Sequence, residues 1–169
     1  MASIKGRFSA VLPTILLAAF CALTPVHANA NPQRSDEEFG PVVRAYLGYL
    51  RNEQEVVDDR VSRREVSSTY YRHNSNRIKA LRQMAIRLAR ETHNDYLPEL
   101  EAVSAEEMRL LFGSNPPLTT SLKVGEVLRN TFRYLGLVRT TGGNFYLFAR
   151  LDPYEQAELT EKASAVRRP

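Results

Sequence analysis

Apolar positions recur along much of this chain at helical spacing. Val43, Tyr46, Leu47 and Leu50 stand three and four residues apart, which predicts an amphipathic helix. Pro41 suits its first turn, where a missing N–H costs nothing. The pattern runs on through Val56, Val57 and Val61. A longer one covers Glu65 to Thr92, with Ile78, Leu81, Ala85, Leu88 and Thr92 as its stripe and Val66 and Tyr70 as a weaker upstream part. His73-Asn74-Ser75-Asn76 interrupts it with residues that prefer caps and turns. Either one helix passes through a polar patch, or Asn74 or Ser75 caps a second helix.

Asn94 to Val103, with Pro98 inside it, reads as a connection. Ser104-Ala105-Glu106-Glu107 has the form of a capping box and opens a short helix with Met108, Leu111 and Phe112, closed by Gly113. Asn115-Pro116-Pro117 keeps the next residues extended. Val124, Val127, Leu128, Thr131 and Leu135 then predict a third amphipathic helix within Ser121–Leu135, with Gly136 as a left-handed cap. Gly142-Gly143-Asn144 separates two β-branched and aromatic runs, which is hairpin chemistry. Asp152-Pro153-Tyr154-Glu155 starts a last, short helix.

The expected fold is therefore mainly α (α+β). One helical domain over residues 41–161 carries a single C-terminal two-stranded β-hairpin at 137–151, with a flexible lead-in at 31–40 and a disordered tail at 162–169. Period-two geometry puts Phe145, Leu147, Ala149 and Leu151 on one face of the last strand, and Tyr146, Phe148 and Arg150 on the other. A lone hairpin is marginal in water, so one face must pack on helix. The face with Tyr146 and Phe148 is then roofed by the first helices or left as an interaction patch.

The first thirty residues change the picture. Lys5 and Arg7 precede an uncharged, mostly apolar run from Phe8 to Val26, and Ala28-Asn29-Ala30 supplies small residues for a signal peptidase. Residues 1–30 are expected to be an export signal cut after Ala28 or Ala30, making the mature protein periplasmic or secreted. Phe20 before Cys21 disfavours lipidation, and Cys21 is the only cysteine, so disulfides do not hold the mature fold. Losing Lys5 and Arg7 with the leader lowers the formal charge from +4 to +2.

Charge is laid out in blocks. Residues 31–59 lean acidic, Arg60 to Arg90 holds nine bases against Glu65, Glu91 to Glu107 is acidic, and Arg109 to Arg150 is basic apart from Glu126. Alternation of this kind suits neighbouring elements that pair with one another. The competing expectation is an anion site on the 60–90 helix built from Arg72, Arg77, Lys79, Arg82, Arg87 and Arg90.

Catalytic chemistry has no visible carrier. His73 and His93 are the histidines beyond the leader, twenty residues apart and without a ligand partner at helical spacing. No nucleophile elbow, S-x-x-K pair or phosphate loop occurs, so no catalytic, cofactor or metal residue is assigned.

One resemblance is carried by Ser104 to Leu151, above all by Tyr134-Leu-Gly-Leu-Val-Arg-Thr-Thr-Gly-Gly-Asn-Phe-Tyr-Leu147. A short helix, a connection, a longer helix ending in LGLV and a glycine-tipped hairpin resemble the end of a winged helix-turn-helix domain. The resemblance implies that the longer helix enters a DNA groove, with Lys123, Arg129, Asn130 and Arg133 as contacts. An exported chain does not meet the genome, so the partner expected is a protein or an envelope component instead of DNA. The functional expectation is an exported, non-enzymatic interaction or structural protein. An anion-binding module for an envelope polymer, acidic lipid or nucleic acid comes second, and an exported enzyme third.

Overall fold

The two strongest apolar stripes fold into an antiparallel helical pair. The computed structural model describes residues 36–166, with side chains as far as residue 163. The expected leader at 1–30 lies outside the described residues, as do 31–35 of the lead-in and 167–169 of the tail. Helix α1 is Pro41–Ser62 and buries Val43, Leu47, Leu50 and Val57. Its first turn is capped from a distance: the Asp95 carboxylate accepts from the N–H groups of Val42 at 2.8 Å and Val43 at 2.9 Å.

Helix α2 is Ser68–Thr92, a single unbroken helix whose N-cap Ser67 accepts from the Tyr70 N–H. The polar patch inside it is buried and bonded. Ser75 and Asn76 are each 5 % exposed. Gln54 of α1 donates to the Ser75 hydroxyl at 2.9 Å, and the Asn76 amide donates to the Arg72 carbonyl at 2.7 Å. With those bonds made, poor helix formers can remain mid-helix. The buried face of α2 carries Ala80, Met84, Ala85 and Ala89, and Ile78, Leu81 and Leu88 are only half-buried.

The carboxyl half departs from expectation. Strand β1 is Leu100–Val103, where a connection was expected. Helix α3 is Met108–Phe112, ended by Gly113 as predicted. The segment Ser121–Leu135, read as an amphipathic helix, is instead strand β2, Val127–Leu128, a turn, and the start of strand β3, Phe132–Thr140. Strand β4 is Gly143–Arg150, and helix α4, Pro153–Val166, runs past Lys162, where the tail was expected. The strands form one antiparallel sheet in the order β1-β4-β3-β2. The fold is therefore α+β, with four helices among the described residues and a curled, four-stranded half-barrel sheet. It is not a mainly helical domain with one two-stranded hairpin.

The physical reason lies in Val124 to Leu135. Val127, Thr131, Phe132 and Tyr134 are β-branched or aromatic and favour a pleated surface, and their spacing of three and four is incidental. Arg129 and Asn130 both take positive φ, 53° and 54°, and the Thr131 N–H donates to the Leu128 carbonyl at 3.1 Å. That is the primed turn that a tight strand reversal requires. Gly136, expected as a helix cap, sits at φ 133° where the register of β3 slips between Tyr134 and Gly136. It serves a bulge, and Leu135 is the extra residue. The bulge turns Phe132 and Tyr134 to one face of the sheet and Val138 to the other.

Two cores result. Val43 and Leu47 of α1, the buried face of α2, and Leu100, Ala102, Val138, Phe145 and Leu147 form the first. Val103, Met108, Phe112, Phe132, Tyr134 and Phe148 form the second, on the opposite face. Phe112, Phe132 and Phe148 meet there edge to face, with ring centroids 5.3–6.4 Å apart. No helix among the described residues is long and apolar enough to cross a membrane.

Candidate functional site

Helix α2 carries all six basic residues singled out in the sequence, and tertiary contacts divide them. Arg77 pairs with Glu107, Arg82 with Asp36, and Arg90 with Glu38 at 2.6 Å. Asp36, in the expected lead-in, is 6 % exposed and also takes Arg51 at 2.8 Å. No ion pair joins Arg72, Lys79 or Arg87 to an acid among the described residues. Arg72 and Lys79, seven residues apart, share one face of α2, whereas Arg87 approaches Gly136 of β3.

Arg72 and Lys79 open on the same cleft, about 560 Å³, between α2 and the tip of the β3–β4 hairpin. Thr69, Tyr71, His73, Ser75, Asn76, Thr141 and Gly142 complete the lining, and none is acidic. Asn76 fixes the tip. Its carbonyl oxygen accepts from the Thr141 hydroxyl at 3.3 Å, and a Cβ at Gly142 would overlap its amide. A side chain at 142 would therefore push Asn76 off its bonds to Arg72 and Thr141, which favours glycine there. Across His73 and Gly142 lies a smaller recess of about 260 Å³, bordered by Ser104, Glu106, Asn144 and Tyr146.

Next to His73, a lining residue of the cleft, Glu107 gathers three partners. Its Oε2 accepts from the Ser104 N–H at 3.0 Å, the return bond of the expected capping box; the serine half is not made, because α3 starts only at Met108 with Glu107 as its N-cap and no side-chain cap bond. Its Oε1 accepts from Arg77 and lies 2.9 Å from His73 Nε2. Burial by itself pushes the Glu107 carboxyl up. The Ser104 N–H, Arg77 and His73 outweigh it and hold the group down at about 2. Glu107 is thus ionised throughout the neutral range and serves as an anchor, not as a proton shuttle. His73 also lies against the Phe145 ring, 5.4 Å between centroids. Glu106, on the rim of the smaller recess, is also lowered, first by its own backbone N–H and then by the Ser104 hydroxyl.

The other residues singled out fall elsewhere. Phe148 is 0 % exposed inside the second core, roofed by Met108 and Phe112 of α3 and not by the first helices. Tyr146 is half-buried beside Tyr134, so the two do not form a surface patch. Lys123 lies in the turn closed by the Glu126 carboxylate, and Arg129 and Asn130 in the β2–β3 turn. Arg133 on β3 pairs with Glu155 at 2.9 Å. Among the described residues no cluster of three or more His, Cys, Asp or Glu could hold a metal ion.

The sequence named Arg72 and Lys79 but missed Thr69, Tyr71, Asn76, Thr141 and Gly142. One signal was present: a run of poor helix formers within a long helical pattern marks a place where another element must supply bonds. No protein-family model, no curated protein and no solved structure matches this chain.

Proposed function

We propose that this chain is an exported, non-enzymatic binding protein, and that its ligand is an anionic group taken into the cleft between α2 and the hairpin tip. Support comes from one observation: Arg72 and Lys79 line the same concave site, have no carboxylate partner among the described residues, and meet no acid in its lining. Fixed positive charge in a concavity focuses field and attracts counter-charge. Hydroxyl and amide groups from Thr69, Ser75, Asn76 and Thr141 border the same space and offer hydrogen bonds to a bound oxyanion. This narrows the ligand surface from six basic residues to two, because Arg77, Arg82 and Arg90 are already held by carboxylates and Arg87 does not line the cleft.

Heparin at low ionic strength is a suitable probe. Binding is expected to weaken steeply with added salt as counterions are released, and to be lost in the Arg72→Glu/Lys79→Glu double variant. Arg87→Glu, which removes a cation outside the cleft, should leave it nearly unchanged. Equal binding by both variants, or none by the unaltered protein, refutes the assignment.

A further inference from the structure

The cationic cleft does not end at Lys79. The same side chain borders a second recess, about 240 Å³, in the groove between α1 and α2. Ile78 and, at the floor, the buried Leu50 are its apolar lining residues. Leu50 is 2 % exposed and Ile78 half-buried, so this surface is sunk between the helices. Three other side chains border the recess, and each has a partner: Arg51 and Arg82 are held by Asp36, and Gln54 by Asp58 and Ser75. Lys79 alone among its cations lacks a carboxylate, and Lys79 is the wall shared with the cleft of Arg72.

Unpaired positive charge at one end and a sunken apolar slot at the other match an ion that carries a hydrocarbon tail. We infer that the site takes one molecule of a single-chain anionic amphiphile. Its phosphate or carboxylate head sits between Arg72 and Lys79, and its aliphatic chain lies along the α1–α2 groove over Leu50 and Ile78. Helical rise places Arg72 and Arg82 about 15 Å apart along α2, the span that head and tail would share. The Lys79 stem is itself aliphatic and can line the slot while its ammonium stays with the head. A concave slot of this kind suits one chain. A bilayer surface would need apolar side chains that project, and Leu50 is nearly inaccessible. The head-group half of this inference rests on the anion cleft proposed above; the tail half rests on the groove alone.

The test is calorimetric titration of the unaltered protein with dodecyl phosphate below its micelle concentration. Octyl phosphate, inorganic phosphate and uncharged dodecyl maltoside are run beside it. Affinity is expected to rise with chain length, up to roughly fourfold per methylene buried, and dodecyl maltoside should bind far more weakly than dodecyl phosphate. Ile78→Asn should weaken dodecyl phosphate at least tenfold and leave heparin binding unchanged, and Arg72→Glu/Lys79→Glu should abolish both. Because the chain-length series uses the unaltered protein, it decides even if the Ile78 variant folds poorly. Phosphates that bind through Arg72 and Lys79 without gaining from the tail overturn the amphiphile and leave the anion cleft standing. If no phosphate compound and no heparin binds, both fall. Tight binding of dodecyl maltoside, or binding only to vesicles of acidic phospholipid, also overturns the inference.

Discussion

Glu107 shows how much one side chain can hold together. Through Ser104, Arg77 and His73 it ties the turn before α3 to the middle of α2, and His73 lines the candidate cleft. Its carboxyl is held at about 2, against 4.5 unperturbed. A depressed carboxyl contributes stability that is fully present above the unfolded value and is lost as the pH falls through the folded one. Its contribution therefore disappears between about pH 4.5 and about pH 2. Glu107→Gln should be less stable than the unaltered protein at neutral pH, and the gap should close across that window. Urea unfolding at a series of pH values measures it. A gap that stays constant from neutral pH down to pH 2 would show that the charge on Glu107 is immaterial.

Strand β4 works as a partition. Leu147 and Phe148 are neighbours in sequence, both are 0 % exposed, and they enter different cores on opposite faces of the sheet. Leu147→Ala should cost roughly 2–5 kcal/mol and Phe148→Ala roughly 3–5 kcal/mol, as the cavities left cannot close. Because the two side chains do not share a core, the double variant should lose about the sum of the single losses. Denaturant midpoints would report this. A near-neutral Phe148→Ala would sink the second core, and with it the role of α3 as a roof. The bulge at Gly136 lies in the neighbouring strand and turns the two halves of β3 toward the same two cores.

Across the whole molecule, the alternating charge blocks meet one another. The basic block on α2 pairs with acids from both neighbouring blocks, at Asp36 and Glu38 on one side and Glu107 on the other, and Arg150 reaches Glu99 and Glu101. Most of these pairs are partly solvated, where such contacts contribute little each; Asp36 is the buried one. That residue lies just past the proposed signal cut. Cutting after Ala28 or Ala30 leaves Asp36 on the mature chain with its bonds to Arg51 and Arg82. N-terminal sequencing of the exported protein should begin at Asn29 or Asn31, and a retained Met1 would mean that the leader stays as an anchor.

Features written in local chemistry were legible along the chain. Pro41 opened α1, Gly113 closed α3, Glu107 reached back to Ser104, and Asp152 capped α4 by accepting from the Tyr154 and Glu155 N–H groups. Each needs only residues within a few positions of one another, so a linear pattern carries it. The alternation along Phe145 to Ala149 was equally legible. Tertiary structure decided the rest. Spacing of three and four placed Val124 to Leu135 on a helix, but strand pairing with β4 supplied backbone partners and a buried face that no single segment displays. The edge strand Leu100–Val103 exists because β4 offered it a ladder. The cleft is of the same kind: Arg72 and Lys79 are visible as charges, yet their lack of partners depends on where Asp36, Glu38 and Glu107 go. Ion pairing is settled by distance in space, and only the folded chain sets that distance.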